Sequence, residues 1–155
     1  MALLLIQPLL VGGFLPGVPA QRGRRIHSIL GGLLALAVAA HVAGLWITSP
    51  PDVIDALLFA SPTPFSFWGA IAMWAVFGTA LLAALRRRLP LRVHTWRRGH
   101  AAFAGVIVLG SVVHALLIEG TMEPVSRVGL CALVIAATIM AIVRLRVFAK
   151  RKKSP

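Results

Sequence analysis

The chain has 155 residues, of which 59% are apolar and only 13% charged, whereas roughly a quarter of an average soluble domain is charged. Sixteen Lys or Arg residues and four Asp or Glu residues give a formal net charge of +12, a balance found in nucleic-acid-binding domains. Such a domain needs a polar surface all round, and a mean hydropathy of +0.89 excludes one. The single cysteine, Cys131, also excludes a disulfide framework. The composition predicts a protein that sits in a lipid membrane and binds no nucleic acid.

Apolar stretches in chain order predict five helices of a single domain, residues 1–155. The first, residues 2–18, is short, and because no Lys or Arg precedes Arg22 we expect a retained helix rather than a signal peptide. Four more reach the roughly 20 residues that cross a hydrocarbon core. They are residues 26–48, 67–86, 97–118 and 127–148. The predicted fold is an all-α polytopic membrane helical bundle with about five transmembrane helices.

The basic residues lie at one side of the predicted helices. Fifteen of the 16 fall in residues 22–25, 86–98 and 144–153, while Arg127 and all four acidic residues fall on the opposite side. Because Lys and Arg near helix ends are retained in the cytoplasm, we expect the N-terminus outside and the C-terminus inside. The expected location is the inner (plasma) membrane, with residues 149–155 as a basic cytoplasmic tail.

Four of the five histidines follow one spacing. His27 and His41 are 14 residues apart, His100 and His114 are also 14 apart, and the two pairs are offset by 73 residues. Fourteen residues turn about 1400° and advance about 21 Å, so both histidines of one helix lie near one face. One helix separates the two histidine-bearing helices, which therefore run parallel. We expect His27 to face His100 at the cytoplasmic level and His41 to face His114 further out.

The number of imidazoles at each predicted level indicates which metal ion or cofactor could bind between the two helices. Zinc takes four protein ligands, or three and water, and no carboxylate or thiolate lies at either level to complete such a set. A b heme needs only two axial imidazoles, so the pairs predict two non-covalent, bis-histidine heme b groups. The alternative is that the histidines serve only as interfacial or hydrogen-bonding residues. His94 breaks the spacing, and we expect it in a solvated loop.

Arginine pairs precede both inner histidines and have two interpretations. They are determinants of topology and contacts for lipid headgroups. They also lie within a turn of the histidines, where heme propionates would need cationic partners. The residues concerned are Arg24, Arg25, Arg97 and Arg98.

This pattern resembles the ferric reductase-like transmembrane domain family. The family includes the membrane cores of ferric reductases and NADPH oxidases, and the heme-binding membrane subunit of the periplasmic methionine sulfoxide reductase system. Its hallmark is a pair of similarly spaced histidines on each of two helices, which bind two b hemes stacked across the bilayer. His27-Ser28-Ile29-Leu30-Gly31 also resembles the family's His-x-x-x-Gly opening, and the resemblance covers residues 7–148. The family usually has one more helix, ahead of the first predicted here.

The resemblance implies an oxidoreductase component that carries electrons across the membrane. A cytoplasmic flavoprotein reductase or a quinol would reduce the heme at His27 and His100, and the heme at His41 and His114 would pass the electron to an outer acceptor. No Gly-x-Gly-x-x-Gly turn follows a predicted strand, so we expect no flavin domain on this chain. One alternative is a non-redox membrane scaffold or accessory subunit whose histidines only hydrogen-bond between helices. Another is a ferric reductase that acts alone and reduces its acceptor at the outer loops, which carry Asp52, Asp55, Glu119 and Glu123.

Overall fold

The computed structural model describes residues 1–86, 88, 90, 92–120 and 123–145, and these form six α-helices. In chain order they are α1 (Ala2–Gly12), α2 (Ala20–Thr48), α3 (Pro50–Leu57), α4 (Pro64–Leu85), α5 (Val93–Leu117) and α6 (Pro124–Arg144). No strand occurs in the described residues, so the prediction of an all-α fold is confirmed for them. The predicted tail at residues 149–155 and the predicted end of the last helix at 148 lie outside them.

Four helices are long and apolar enough to cross a membrane. α2, α4, α5 and α6 contain 29, 22, 25 and 21 residues. At a rise of 1.5 Å per residue the shortest is about 31 Å long, which matches a hydrocarbon core of about 30 Å. Large apolar side chains cover their outer surfaces, for example Ile29, Leu36 and Ile47 on α2. The chain is therefore a multi-pass membrane protein, as its hydropathy predicts.

These four helices begin earlier than the apolar pattern predicts. Each starts three to six residues before the predicted positions 26, 67, 97 and 127. The additional first turns contain arginine, proline or polar residues. These residues lower the average hydropathy of the segment, but their backbone adopts the helical conformation. Pro64 and Pro124 occupy the first helical position, where a missing N–H leaves no hydrogen bond unmade. Hydropathy reports the apolar part of a helix rather than its termini.

α1 is shorter than the predicted helix at residues 2–18. It ends at Gly12 because Gly13 takes a left-handed conformation, with φ 66°, and donates its N–H to the carbonyl oxygen of Leu10. Eleven residues reach about 16 Å, roughly half of a hydrocarbon core. α1 packs along the first half of α2, and a Cβ added at Gly23 would lie 2.9 Å from the Leu10 oxygen.

The hydrophobic core lies midway along the bundle. Five buried residues from four helices form this core cluster: Leu4, Ala75, Val76, Ile107 and Val134. Leu34 of α2 packs against it. Leu34 and Ile107 each stand halfway between the two predicted ligand histidines of their own helix. The core cluster therefore separates two histidine levels.

α4 and α5 form the most closely packed helix pair. Small residues allow this approach, because a Cβ added at Gly110 would lie 3.0 Å from both the Ala72 Cβ and the Trp68 carbonyl oxygen. α2 is packed more loosely, and Gly23 is its one buried residue. The fold thus holds the second histidine helix, α5, firmly against α4 and leaves much of α2 facing lipid.

Candidate functional site

The two ends of the bundle differ in charge. The basic end contains the start of α2, the end of α4, the start of α5 and the end of α6. Its described basic residues are Arg22, Arg24, Arg25, Arg86, Arg88, Arg92, Arg97, Arg98 and Arg144. The acidic end contains α3 and the segments that join α2 to α4 and α5 to α6. It carries all four carboxylates, Asp52, Asp55, Glu119 and Glu123.

His27 and His100 face each other near the basic end. Each is the eighth residue of its helix, α2 and α5 respectively. Their ring centroids are 6.0 Å apart, the ring planes meet at 69°, and both side chains are half-buried. The structure therefore brings together the pair that the sequence predicts at this level.

An aromatic and a cationic side chain pack on the His100 imidazole. The Trp96 indole stacks on it with ring centroids 5.1 Å apart and planes at 13°. The Arg86 guanidinium, from the end of α4, lies 4.2 Å from the indole centroid and forms a cation–π contact. Sequence reasoning missed this stack, although Trp96 precedes His100 by four residues and so shares its helix face.

Gln7 of α1 contacts the imidazole of His27. Its backbone oxygen lies 3.3 Å from His27 Nδ1. One orientation of the Gln7 side-chain amide gives hydrogen bonds to both its nitrogen and its oxygen. In that orientation the amide nitrogen donates to His27 Nδ1 at 2.5 Å and the amide oxygen accepts from Gly31 N–H at 2.8 Å. The two contacts require opposite tautomers, because Nδ1–H donates to the backbone oxygen, whereas an amide N–H donates to an unprotonated Nδ1 and leaves the ring proton on Nε2. Sequence reasoning missed Gln7 because a contact between residues 20 positions apart has no local signal.

A cavity of about 900 Å³ occupies the acidic end, and we call it the acidic-end cavity. All six helices contribute to its wall, and His41 of α2 and His114 of α5 both line it. Its lining is mainly apolar, with Ser49, Asp52 and Arg127 among the polar residues. The second predicted pair of histidines therefore shares one chamber of the size that ligand pockets have, about 300 to 1,000 Å³.

His114 is held by α4. Its Nδ1 lies 2.7 Å from the backbone oxygen of Phe65. A carbonyl oxygen only accepts, so Nδ1 carries the proton and Nε2 carries the lone pair. Gly69, one turn later, gives the ring its space, because a Cβ there would lie 2.7 Å from Nδ1. Sequence reasoning missed both residues of this cradle.

The four arginines predicted beside the inner histidines have different surroundings. Arg24 and Arg25 are exposed. Arg97 donates from Nη2 to the carbonyl oxygen of Leu145 at 2.6 Å, at the end of α6. Arg98 buries its Nε, which has no hydrogen-bond partner within the part of the chain that the structure describes. Of these four residues, Arg98 is the one whose buried donor lacks an acceptor there.

The remaining polar side chains add no third ligand to either level. His94 is exposed, on the first turn of α5 rather than in a loop, and Cys131 is buried in α6. Among the described residues, no three His, Cys, Asp or Glu side chains come together as a metal-ion site. The structure thus brings His27 and His100 together as a pair, and it places His41, which is exposed, and His114 on the wall of the acidic-end cavity. Comparison of the chain with protein-family models, with curated proteins and with solved structures finds no match.

Proposed function

We propose that this protein is a transmembrane electron-transfer protein of the ferric reductase-like family, which binds two b hemes between its histidine pairs. His27 and His100 are the axial ligands of one heme, and His41 and His114 are those of the other. The single observation that carries the proposal is the approach of His27 to His100 at a ring separation of 6.0 Å. When bound, heme supplies the one-electron chemistry, and the chain supplies ligands, burial and charge.

The ring separation at the basic end supports an iron ion between the two imidazoles. Two imidazoles that bind one metal ion from opposite sides, through metal–nitrogen bonds of about 2.0 Å, place their ring centroids roughly 6 Å apart. His27 and His100 already have this separation. When Nδ1–H of His27 donates to the backbone oxygen of Gln7, Nε2 carries the lone pair, and Nε2 is the ligand atom of that ring in this proposal.

Two features support the second heme at the acidic end. The acidic-end cavity has room for a bulky planar ligand and is walled mainly by apolar side chains. His114 donates Nδ1–H to the Phe65 carbonyl, which is the arrangement that fixes the tautomer of metal-binding histidines and points the Nε2 lone pair at the metal. The Nδ1 contact could also serve a purely structural histidine, but it leaves the ligating atom free.

Buried donors near the basic end support an anionic ligand there. The Nε of Arg98, the Nε1 of Trp96 and the Nδ1 of His100 are buried and have no hydrogen-bond partner among the described residues. Buried polar atoms without partners are rare in folded proteins, since each costs about 1–3 kcal/mol. We assign Arg98 to a heme propionate, and Arg24 and Arg25 to topology and headgroup contacts.

The proposed topology has five membrane-embedded helices in the inner (plasma) membrane, with the basic end in the cytoplasm. α1 supports this orientation, because Leu4 lines the acidic-end cavity while Leu10 packs on Gly23 at the start of α2. The N-terminus then faces outward and the C-terminus inward. A separate cytoplasmic flavoprotein or a quinol is the electron donor at the basic end, and the acceptor binds at the acidic end.

The heme spectrum of the purified protein tests the proposal. We expect protein from heme-replete cells to show a Soret band, an α band that sharpens on reduction with dithionite, and two hemes per chain. His27→Ala or His100→Ala removes one heme, and His41→Ala or His114→Ala removes the other. The reason is that a non-covalent b heme binds less tightly once one of its histidine ligands is removed.

His94→Ala is the matched control, because His94 is exposed and belongs to neither pair. It keeps both hemes, and the elution profile in detergent shows which variants still fold. If the wild type is colourless, or if all four ligand variants keep two hemes, the proposal is wrong. A folded, colourless protein would favour a scaffold whose histidines only hydrogen-bond between helices, as the contacts to Phe65 and Gln7 allow.

A further inference from the structure

Arg127 is the one basic residue predicted on the side of the acidic residues, and it lines the acidic-end cavity. It stands in the first turns of α6, half-buried, on the same chamber as His41 and His114. Its charge does not follow the pattern that orients the helices, since positive charge is favoured at the other end of the bundle. The presence of the Arg127 guanidinium at the acidic end therefore requires an explanation other than membrane topology.

The hydrogen bonds of Arg127 leave part of its guanidinium without an acceptor. Its Nη1 donates to the backbone oxygen of Ile118. Its Nε is buried and has no hydrogen-bond partner in the described ranges of the chain. A buried donor on a charged group is costly unless an acceptor reaches it, so the geometry indicates a missing acceptor beside Arg127.

Two nearby carboxylates are engaged with other donors. Glu123 accepts from the backbone N–H of Val125 at 3.1 Å and of Ser126 at 2.8 Å, as the N-cap of α6. Asp52, which shares the cavity wall, accepts from the Ser49 hydroxyl at 2.5 Å. The partner that suits Arg127 is then an anion that enters the cavity with an apolar body.

We propose that Arg127 binds the carboxylate of an amphiphilic ligand whose apolar part fills the acidic-end cavity. The planar guanidinium pairs with a carboxylate through two parallel N–H···O bonds, which a lysine ammonium does not do. Two sources have this chemistry, a porphyrin propionate and the headgroup of a free fatty acid. The porphyrin source rests on the proposed function, since it places the second heme in this cavity.

Iron-free probes test Arg127 without involving the histidines. The full-length protein, produced under heme limitation and purified in detergent, is titrated with protoporphyrin IX and, separately, with its dimethyl ester. We expect the wild type to bind the diacid about tenfold more tightly than the diester, the factor that one charge-assisted hydrogen bond supplies. Arg127→Gln reduces this preference to the part that Arg98 at the basic end supplies, Arg127→Lys keeps more of it, and the affinity for the diester stays unchanged.

Arg22→Gln is the matched control, because it removes the same charge from an exposed residue at the far end of the bundle. A second arm uses cis-parinaric acid and its methyl ester. A preference that depends on Arg127 in the porphyrin arm assigns the carboxylate to a porphyrin, and one confined to the second arm assigns it to a fatty acid. The inference is overturned if Arg127→Gln keeps the acid preference undiminished, or if the wild type shows none in either arm.

The same proteins separate this inference from the proposed function. A wild type that is colourless from heme-replete cells but keeps the Arg127-dependent preference contradicts the proposed function and supports the carboxylate site. A wild type with two hemes, in which Arg127→Gln alters neither probe, supports the proposed function and contradicts the carboxylate site.

Discussion

Only a hydrogen atom fits at position 69 beside the His114 imidazole. A Cβ there would lie 2.7 Å from Nδ1 and 2.8 Å from the Cε1 atom of the ring. The Phe65 carbonyl holds the same ring by its Nδ1–H. Gly69 and Phe65 together fix the position and the tautomer of His114, so we assign Gly69 as a positioning residue for this histidine.

Gly69→Ala is expected to displace the imidazole of His114 and weaken its bond to Phe65. Overpacking of this kind costs about 1–3 kcal/mol. On the proposed function, we expect the heme at His41 and His114 to be lost or its midpoint potential to shift, while the heme at His27 and His100 is retained. Redox titration followed by absorbance measures both.

Gly129→Ala serves as the control for that variant, because a Cβ at Gly129 meets nothing within 4 Å. It is expected to leave both potentials unchanged. Equal heme content and equal potentials in Gly69→Ala and the wild type would show that position 69 does not position His114.

Sequence reasoning reached the histidines but not the residues that hold them. A spacing of 14 residues on two helices predicts which imidazoles share a level, because helix geometry alone determines it. Gln7, Phe65 and Trp96 act through contacts between helices or through ring stacking, which depend on how the helices pack. The sequence marks Arg127 only weakly, as the one basic residue predicted on the side of the acidic residues. Its role can be recognised only from the acidic-end cavity, which depends on how the helices pack.

Among the six described helices, α6 is the one whose N-cap side chain accepts hydrogen bonds from the backbone. Glu123 accepts hydrogen bonds from the backbone N–H groups of Val125 and Ser126. These bonds favour the charged carboxylate, and the Ser126 N–H, followed by that of Val125, lowers the pKa of Glu123 below its ordinary value of 4.5. The cap therefore stabilises α6 while Glu123 is ionised.

Glu123→Ala is expected to lower the thermal unfolding midpoint at neutral pH. A carboxyl group with a lowered pKa contributes stability above its ordinary pKa and loses it as the pH falls through the folded-state pKa. The difference between variant and wild type should then shrink in acid, once the pH falls well below 4.5. Circular dichroism of the protein in detergent measures both midpoints.

Glu119→Ala removes an exposed carboxylate close to the same end and is the control. It is expected to leave the midpoint nearly unchanged at both pH values. A loss of stability in Glu123→Ala that is equally large in acid would mean that Glu123 stabilises α6 by something other than its charge.

The long helices and the presence of α1 could be predicted from the sequence, whereas the end of α1 and the whole of α3 could not. Hydropathy over about 20 residues identifies a membrane span because the bilayer fixes its length. α1 ends where Gly13 takes a left-handed conformation, and α3 is an eight-residue helix whose first two residues are Pro50 and Pro51. Such boundaries depend on single residues, which a hydropathy average does not resolve.

At the scale of the molecule, the charge asymmetry of the two ends predicts how the bundle is inserted. Thr95 is exposed at the basic end and Ala60 is exposed at the acidic end. In a Cys131→Ala background, which removes the one native cysteine, we expect Ala60→Cys in whole cells to react with a membrane-impermeant maleimide. Thr95→Cys should react only after the cells are opened.

Reaction of both cysteines in intact cells, or the reverse pattern, would contradict the proposed orientation. The labelling result is independent of heme, so it tests the topology even where the heme proposal fails.

The core cluster between the two histidine levels also makes the levels electrically dependent on each other. The levels stand about 21 Å apart along the helices, and apolar side chains of the core cluster separate the His27 level from the acidic-end cavity, which reaches Leu34 and Ile107. At an effective dielectric constant of about 20, one elementary charge at one level changes the energy of a like charge at the other by about 0.8 kcal/mol. Filling one level therefore opposes filling the second with the same charge, which is negative cooperativity that arises from the fold itself.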